Sequence, residues 1–295
     1  MLELKKDKSN INPDDIQNPL ISVISVNYNS KHEDVHKTIL SIQNQSYFNL
    51  EYIVIDGASN NGSLEIIQSY SECINVLISE KDNGIYQAMN KGIQLAKGSW
   101  IIFMNMGDTF AEDANLLKRL AGGVLQNYKG IVYGNTIHEN AQVRFVHHAN
   151  SNINKNRIKG ILSLNHQSIL THREVFQKIG MFNETQFKIM ADCHWINRVY
   201  AGLGPNAFKY IPEIIAVYNE FGVSSRPENL ALKHLEFRQL QQEFCSSIQN
   251  KFYLILQALD GLKSGVYHQL LNFPRLYKWY RKLKYINSSK ISNLD

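Results

Sequence analysis

Cysteine is scarce in this chain: Cys73, Cys193 and Cys245 are its only three among 295 residues, far apart and in no CxxC pair. A small, odd and scattered set supports neither a disulfide framework nor a structural zinc site, so the thiols are expected to be reduced bystanders. Long apolar runs are missing as well. None approaches the roughly 18 residues that a bilayer span needs, and the opening MLELKKDKSNINPDDIQNPL carries no apolar signal segment, so the expected location is the cytoplasm. With 19% charged residues, 17 Gly and only 6 Pro, the composition excludes collagenous, low-complexity and mostly disordered classes. The common local signatures are absent too: no GxGxxG after a strand, no GxxxxGK followed by Ser or Thr, no GxSxG and no HExxH. Those gaps weigh against dinucleotide oxidoreductases, P-loop phosphotransferases, serine hydrolases and zincins.

What is present begins with apolar content. At 44%, it suffices for a sizeable core in one large domain or two smaller ones. The net charge of +5 is unevenly spread: Gly261 to Asp295 holds seven Lys/Arg and one acid, a net +6, which leaves the other 260 residues at −1. A nucleic-acid protein more often carries its basic excess on the folded body, whereas a tail that alone is basic suggests a surface contact made by the tail.

Apolar β-branched runs alternate with helix-period segments over the first 135 residues, the pattern of repeated βαβ units in a mainly parallel sheet. The expected strands are ISVISVN (21–27), EYIVID (51–56), NVLIS (75–79), WIIFMN (100–105) and IVYG (131–134). The clearest helix follows Asn83-Gly84, where Ile85, Ala88, Met89, Gly92, Ile93 and Ala96 form one stripe, with Gly92 marking a close approach to a neighbour. From about 136 to 225 the pattern is mixed: VRFVHH (143–148) and HQSILT (166–171) read as strands, ADCHWINRVYAG (191–202) as a helix. After Pro227 the chain reads as helical, with a break at Asp260-Gly261. The expected organisation is therefore a flexible segment over 1–19, an α/β domain over 20–225 and a helical extension over 226–295. No internal repeat is visible.

In an open parallel sheet, ligands bind beyond the carboxyl ends of the strands. Three acids fall there: Asp56 after the second strand, Asp82 in EKDNG after the third, and Asp108 in NMGDTF after the fourth, where Asn105 and Gly107 let backbone approach a ligand. Each alone could simply cap a turn or helix. Together on one rim they suit Mg²⁺, Mn²⁺ or a hydroxyl-rich ligand, because hard oxygens bind such cations and accept from sugar hydroxyls. His147 and His148 alternate across a strand, which argues against a metal pair.

The segments PLISVISVNYNS, SIQNQSYFNLEYIVIDGAS, SEKDNGIYQAMNKGIQLAKGSWIIFMNMGD, HQSIL and ADCHWINRVYAG resemble, in order and spacing, the family 2 inverting glycosyltransferases of bacterial surface-polysaccharide synthesis. The resemblance covers roughly residues 20–222 and is most distinctive from Glu80 to Asp108. It implies a GT-A fold and sugar transfer from a nucleoside-diphosphate donor, with UDP the first candidate nucleotide, to a glycan or lipid-linked acceptor, usually with a divalent cation (Mn²⁺ or Mg²⁺). Carried over by position, Val26, Asn27 and Tyr28 would line the base pocket and Asp56 would bond the base or ribose. Asp82 would lie along the nucleotide and sugar. Gly107 and Asp108 would belong to the family's acidic signature, with Asp108 its metal ligand. His166 and Gln167 match the HQ pair near the sugar, and Asp192 matches the catalytic base. Trp195 is either a sugar-stacking platform or a core aromatic, and residues of its size and burial are more often the latter.

A direct displacement needs a base for the acceptor hydroxyl and positive charge for the departing diphosphate. Asp192 opens a helix, whose dipole lowers its pKa and weakens it as a base unless burial offsets this. Several acids are replaced in this chain: Met106-Gly107-Asp108 retains one carboxylate, Asn60-Asn61-Gly62 stands where Asp-Gly is common, and Gln87 and Asn135 stand where Asp is frequent. Those losses keep open a non-catalytic carbohydrate-binding or scaffold relative. A nucleotidyltransferase would need glycines that NYNSKHED lacks. The basic stretch 272–286, with Lys278, Arg281, Lys282, Lys284 and Trp279, would suit an anionic membrane surface, a helix packed on the domain, or a homodimer contact.

Overall fold

The structure is a computed structural model describing residues 2–5, 17–139, 144–158, 160–219 and 227–246. The first half alternates strand and helix: β1 (Leu2–Lys5), β2 (Ile21–Asn27), α1 (His32–Gln43), β3 (Leu50–Asp56), α2 (Ser63–Ser69), β4 (Val76–Ser79), α3 (Ile85–Leu95) and β5 (Trp100–Phe103). It continues through β6 (Thr109–Phe110), α4 (Leu116–Ala121), β7 (Ile131–Glu139), β8 (Arg144–His147), β9 (Arg157–Ile158) and β10 (Ile161–Leu162). The described chain ends with β11 (Ile169–His172), α5 (Arg173–Ile179), α6 (Ala191–Leu203), β12 (Phe208–Asn219) and α7 (Leu230–Phe244).

The main sheet runs β1-β4-β3-β2-β5-β11-β7-β12-β6, with β8 paired to β7. Its β4-β3-β2-β5 block is parallel throughout. Beyond β5 the sheet becomes mixed, because β11 enters antiparallel to both β5 and β7 while β12 runs parallel to β7. Every residue of β2 is buried, as its near-continuous apolar run demands of a strand covered on both faces. Strand alternation divides its side chains: Ile24 and Val26 join a core with α3, α5, α6 and α7, whereas Ile21 and Val23 join a second core with α1, α2 and α4. Ser22 and Glu51 inside this sheet are paired. Ser22 donates to Glu51 (2.5 Å), which also accepts from the Lys97 amide (2.7 Å). Gly92 is where α3 meets the sheet most closely, since a Cβ there would lie 2.5 Å from Ile24 Cγ2.

Two expectations need correction. Residues 2–5, read as part of a flexible segment, pair antiparallel with β4 as an edge strand. The segment HQSILT is not all strand: His166–Ser168 form a 3₁₀ turn and extended pairing begins at Ile169. A residue just outside a strand end can face a crevice instead of a pleat, as His166 and Gln167 do. The helix expected after Pro227 is observed over Leu230–Phe244, while the Asp260-Gly261 break and the 272–286 stretch lie outside the described residues.

Candidate active site

The carboxyl ends of β2–β5 open on a crevice of about 1280 Å³. Val26, Asn27, Tyr28, Asp82, Gly107, Asp108, His166, Gln167 and Asp192 all line it. Asp56 and Trp195 do not.

Asp56 is fully buried at the end of β3, beneath the crevice floor. Its carboxylate accepts from Asn27 Nδ2 (2.7 Å), Ser59 Oγ (2.6 Å), the Ser59 amide (3.0 Å) and Ser79 Oγ (2.6 Å). Four bonds use the capacity of a carboxylate, so the residue orders Asn27 and the loop after β3 instead of presenting a free oxygen. Above it, Asn27 is held with its Oδ1 buried and without a hydrogen-bond partner. Tyr28 stands exposed at the rim. Asp82 is half-buried, accepts from the Gly84 amide (2.9 Å), and has its pKa raised by burial against the opposing effect of that bond. The loop after β3 passes so near that a Cβ on Gly57 would lie 2.7 Å from Asp82 Oδ2.

After β5 the chain makes a tight turn in which Gly107 adopts φ +108°, a conformation that favours glycine. Thr38 of α1 pins this turn, accepting from the Gly107 amide (2.9 Å) and donating to the Asp108 carbonyl (2.7 Å). The Asp108 side chain is buried, and its contacts are neutral donors: Gln167 Nε2 and the Asn219 amide, each at 3.2 Å. Burial pushes its pKa up to about 6 against the lowering influence of His166 and these two bonds.

Across the crevice, Asp192 stands in the first turn of α6. His166 Nδ1 lies 3.0 Å from its Oδ2, and the Tyr86 hydroxyl lies 2.7 Å from Oδ1 and 2.8 Å from the Ile189 carbonyl. Burial alone would raise the Asp192 pKa, but the His166 bond and charge, with the Tyr86 bond, outweigh it and hold the carboxyl below its ordinary value. Reciprocally, burial lowers the His166 pKa, yet its contacts with Asp192 and the charge of Asp108 leave it raised. Asn105 Nδ2 sits 3.3 Å from His166 Nε2, and Asn105 Oδ1 is buried without a partner. Turning that amide over would offer Oδ1 to an imidazolium Nε2–H, so Asn105 can serve either protonation state of the ring. Adjacent residues His166 and Gln167 thus reach the two acids separately, one to Asp192 and the other to Asp108. Extended strand would not place them so.

Of the two readings open for Trp195, the structure places it in the core and not at a sugar platform. It is 2% exposed, stacks on Phe176 (ring centroids 4.5 Å) and donates Nε1–H to the Gly180 carbonyl (2.6 Å). His194 is likewise structural, stacked on Phe187. Tyr86 was missed because, in an apolar-striped helix, one more aromatic reads as core. Thr38, a buried polar residue on α1, gave no local signal at all.

An α/β sheet with this crevice at its carboxyl ends defines a GT-A fold, and solved structures agree. TarS 1–349 of S. aureus, crystallised with UDP-GlcNAc, superposes with a TM-score of 0.54 at 18% identity, over 68% of this chain and 58% of that one. A mannosyltransferase from Pyrobaculum calidifontis, in complex with GDP-Man and Mn²⁺, gives 0.53 at 17%, over 71% and 59%. The chain thus spans less than two thirds of either. It belongs to glycosyl transferase family 2, which residues 22–187 match. A PGL/p-HBAD biosynthesis glycosyltransferase of Mycobacterium bovis is 27% identical over 62% of this chain and 70% of its own length. The putative teichuronic acid biosynthesis glycosyltransferase TuaG of Bacillus subtilis is 33% identical over 32% and 38%.

Asp108 supplies a stability test. Because its folded pKa of about 6 exceeds that of an unfolded aspartate, ionisation costs the fold stability above that range, and the cost vanishes once both states are protonated. Asp108→Asn, with Gln167 free to turn its amide, should therefore stabilise the protein at pH 8 by about 2–3 kcal/mol. The gain should fade between pH about 6 and about 4, as read by urea unfolding without added divalent cation. Equal stabilities at pH 8 would contradict the burial argument.

Proposed function

We propose that this protein transfers a sugar from a nucleoside-diphosphate donor, UDP being the first nucleotide to test, to a hydroxyl of a glycan acceptor with inversion at the anomeric carbon. The observation that carries this reading is the arrangement of Asp192 and Asp108 in one crevice, held by the consecutive residues His166 and Gln167. Inversion in one displacement requires a base on the acceptor side and charge stabilisation on the leaving-group side. Asp192, kept ionised by His166 and Tyr86, takes the acceptor proton as the new C–O bond forms and the diphosphate departs. Its lowered pKa weakens the base but ensures that it is charged at neutral pH.

Among the described residues, no group of three or more His, Cys, Asp or Glu could hold a metal on its own. Asp108 nevertheless fits a cation that arrives with the donor. It is one hard carboxylate with neutral partners, and Mg²⁺-type ions typically combine one or two carboxylates with substrate phosphates. Such an ion would neutralise charge on the departing diphosphate. Asp82 and Tyr28, which line the same crevice, would contact the nucleotide and sugar, while Asp56 would act through Asn27.

Names of relatives in PGL/p-HBAD and teichuronic acid biosynthesis, and the UDP-GlcNAc bound to TarS, support a role in surface-glycan assembly with a hexose or N-acetylhexosamine donor. A lipid-linked acceptor, peripheral docking on an anionic membrane through 272–286 and a homodimer contact are further parts of the proposal, drawn from the charge pattern. No helix among the described residues is long and apolar enough to cross a membrane.

Nucleotide release in the presence of acceptor tests the reading. Asp192→Asn should lower kcat by about a hundredfold or more while donor affinity by calorimetry stays within about threefold. Retained turnover removes Asp192 from the chemistry. Excess chelator should slow the wild type, and an undiminished rate in chelator would show that Asp108 serves no cation.

A further inference from the structure

The segment leading into Asp192 has an unusual anchor. Helix α6 begins at Ala191 with Met190 at its N-cap, and no side chain of its own caps it. The amides at a helix start have no partner within the helix and need one from elsewhere. For the Met190 amide at the N-cap, and for the Lys188 and Ile189 amides just before the helix, the partner comes from α7. The Glu236 carboxylate, 1% exposed, accepts from the amides of Lys188 (2.6 Å), Ile189 (3.0 Å) and Met190 (2.8 Å). The same tripeptide is gripped from the opposite side, where the Tyr86 hydroxyl sits 2.8 Å from the Ile189 carbonyl and 2.7 Å from Asp192 Oδ1.

We propose that Glu236 is a positioning residue for the proposed sugar transfer, acting through the 188–190 backbone to fix where the Asp192 carboxylate stands. This rests on the reading of Asp192 as the base. The family match ends at residue 187, so α7 lies wholly beyond it. Yet α7 is built into the site. Leu240 is fully buried in the core that contains α6, His194 Nε2 of α6 lies 3.2 Å from Glu243, and Lys233, one turn before Glu236, lines the crevice. A carboxylate suits this anchoring role because it presents two oxygens with room for several N–H donors, and its negative charge complements the positive end of α6. A neutral amide in its place keeps one oxygen and turns an NH₂ towards donors. The substitution should therefore loosen 188–192 without emptying the core.

The test compares full-length wild type with Glu236→Gln, Glu236→Asp and Glu243→Gln. The last breaks the neighbouring α6–α7 contact without touching 188–190. Glu236→Gln should lower kcat at least tenfold, leave donor KM within twofold, and raise amide hydrogen exchange in a peptide spanning 188–193. Glu236→Asp should recover part of kcat, and Glu243→Gln should keep both wild-type kcat and wild-type exchange. A merely structural role would instead lower thermal stability alike in Glu236→Gln and Glu243→Gln with no selective loss of kcat, and that result overturns the proposal. So does unchanged exchange over 188–193 in Glu236→Gln. If the wild type transfers no sugar at all, the proposed function falls, while the exchange comparison still decides whether Glu236 holds this backbone.

Discussion

A carboxylate removed from water must be paired or it gives up its charge, and in this protein the constraint falls on Asp192. Its partners come from places distant in sequence: Tyr86 from α3 and His166 from the 3₁₀ turn before β11. Bringing them together requires α3 to lie close on the sheet, which Gly92 permits, and requires β11 to enter between β5 and β7 so that its leading turn faces the crevice. The antiparallel insertion of β11 thus has a consequence for the crevice. It delivers His166 and Gln167 to two acids that a purely parallel continuation would not have bridged.

The two acids are held in opposite electrostatic conditions. Asp192 receives an imidazole and a phenol and is stabilised as an anion, whereas Asp108 receives only neutral donors and is poised near pH 6. Pairs of carboxyls whose surroundings push their pKa values apart have divided roles in many active sites. In this chain the division also accounts for the tolerance of Met106 and Gly107 beside Asp108. With a single desolvated carboxylate in this turn, a second acid would add repulsion unless a cation were present to offset it.

The parallel half of the fold was legible because its strands are buried on both faces and read as continuous apolar runs, and because the α3 stripe is free of competing signals. The mixed half was less so. HQSILT has the composition of a strand, and only the tertiary context turns its first three residues into a 3₁₀ turn. Of the residues taken for the site, nine line one crevice, since family spacing fixes the strand ends. Asp56 shows what spacing cannot reveal, and Trp195 takes the core position that its size favours. An acid at a strand end can be consumed by neighbouring hydroxyls, and an aromatic on an amphipathic helix can face the core with its N–H satisfied by a carbonyl. Tyr86 and Glu236 were invisible for the complementary reason: their partners lie 106 residues away in one case and about 46–48 in the other.

The proposed mechanism turns on a charged pair, Asp192 and His166, in the crevice. A ¹⁵N NMR titration of the His166 ring, in wild type and in Asp192→Asn, reads the state of that pair. Wild-type His166 should keep its second proton to a pH above the ordinary histidine midpoint, and removal of the Asp192 charge should lower that midpoint, because burial is then opposed only by the charge of Asp108. A wild-type midpoint at or below the ordinary value, unmoved by the substitution, would show that no such charged pair exists.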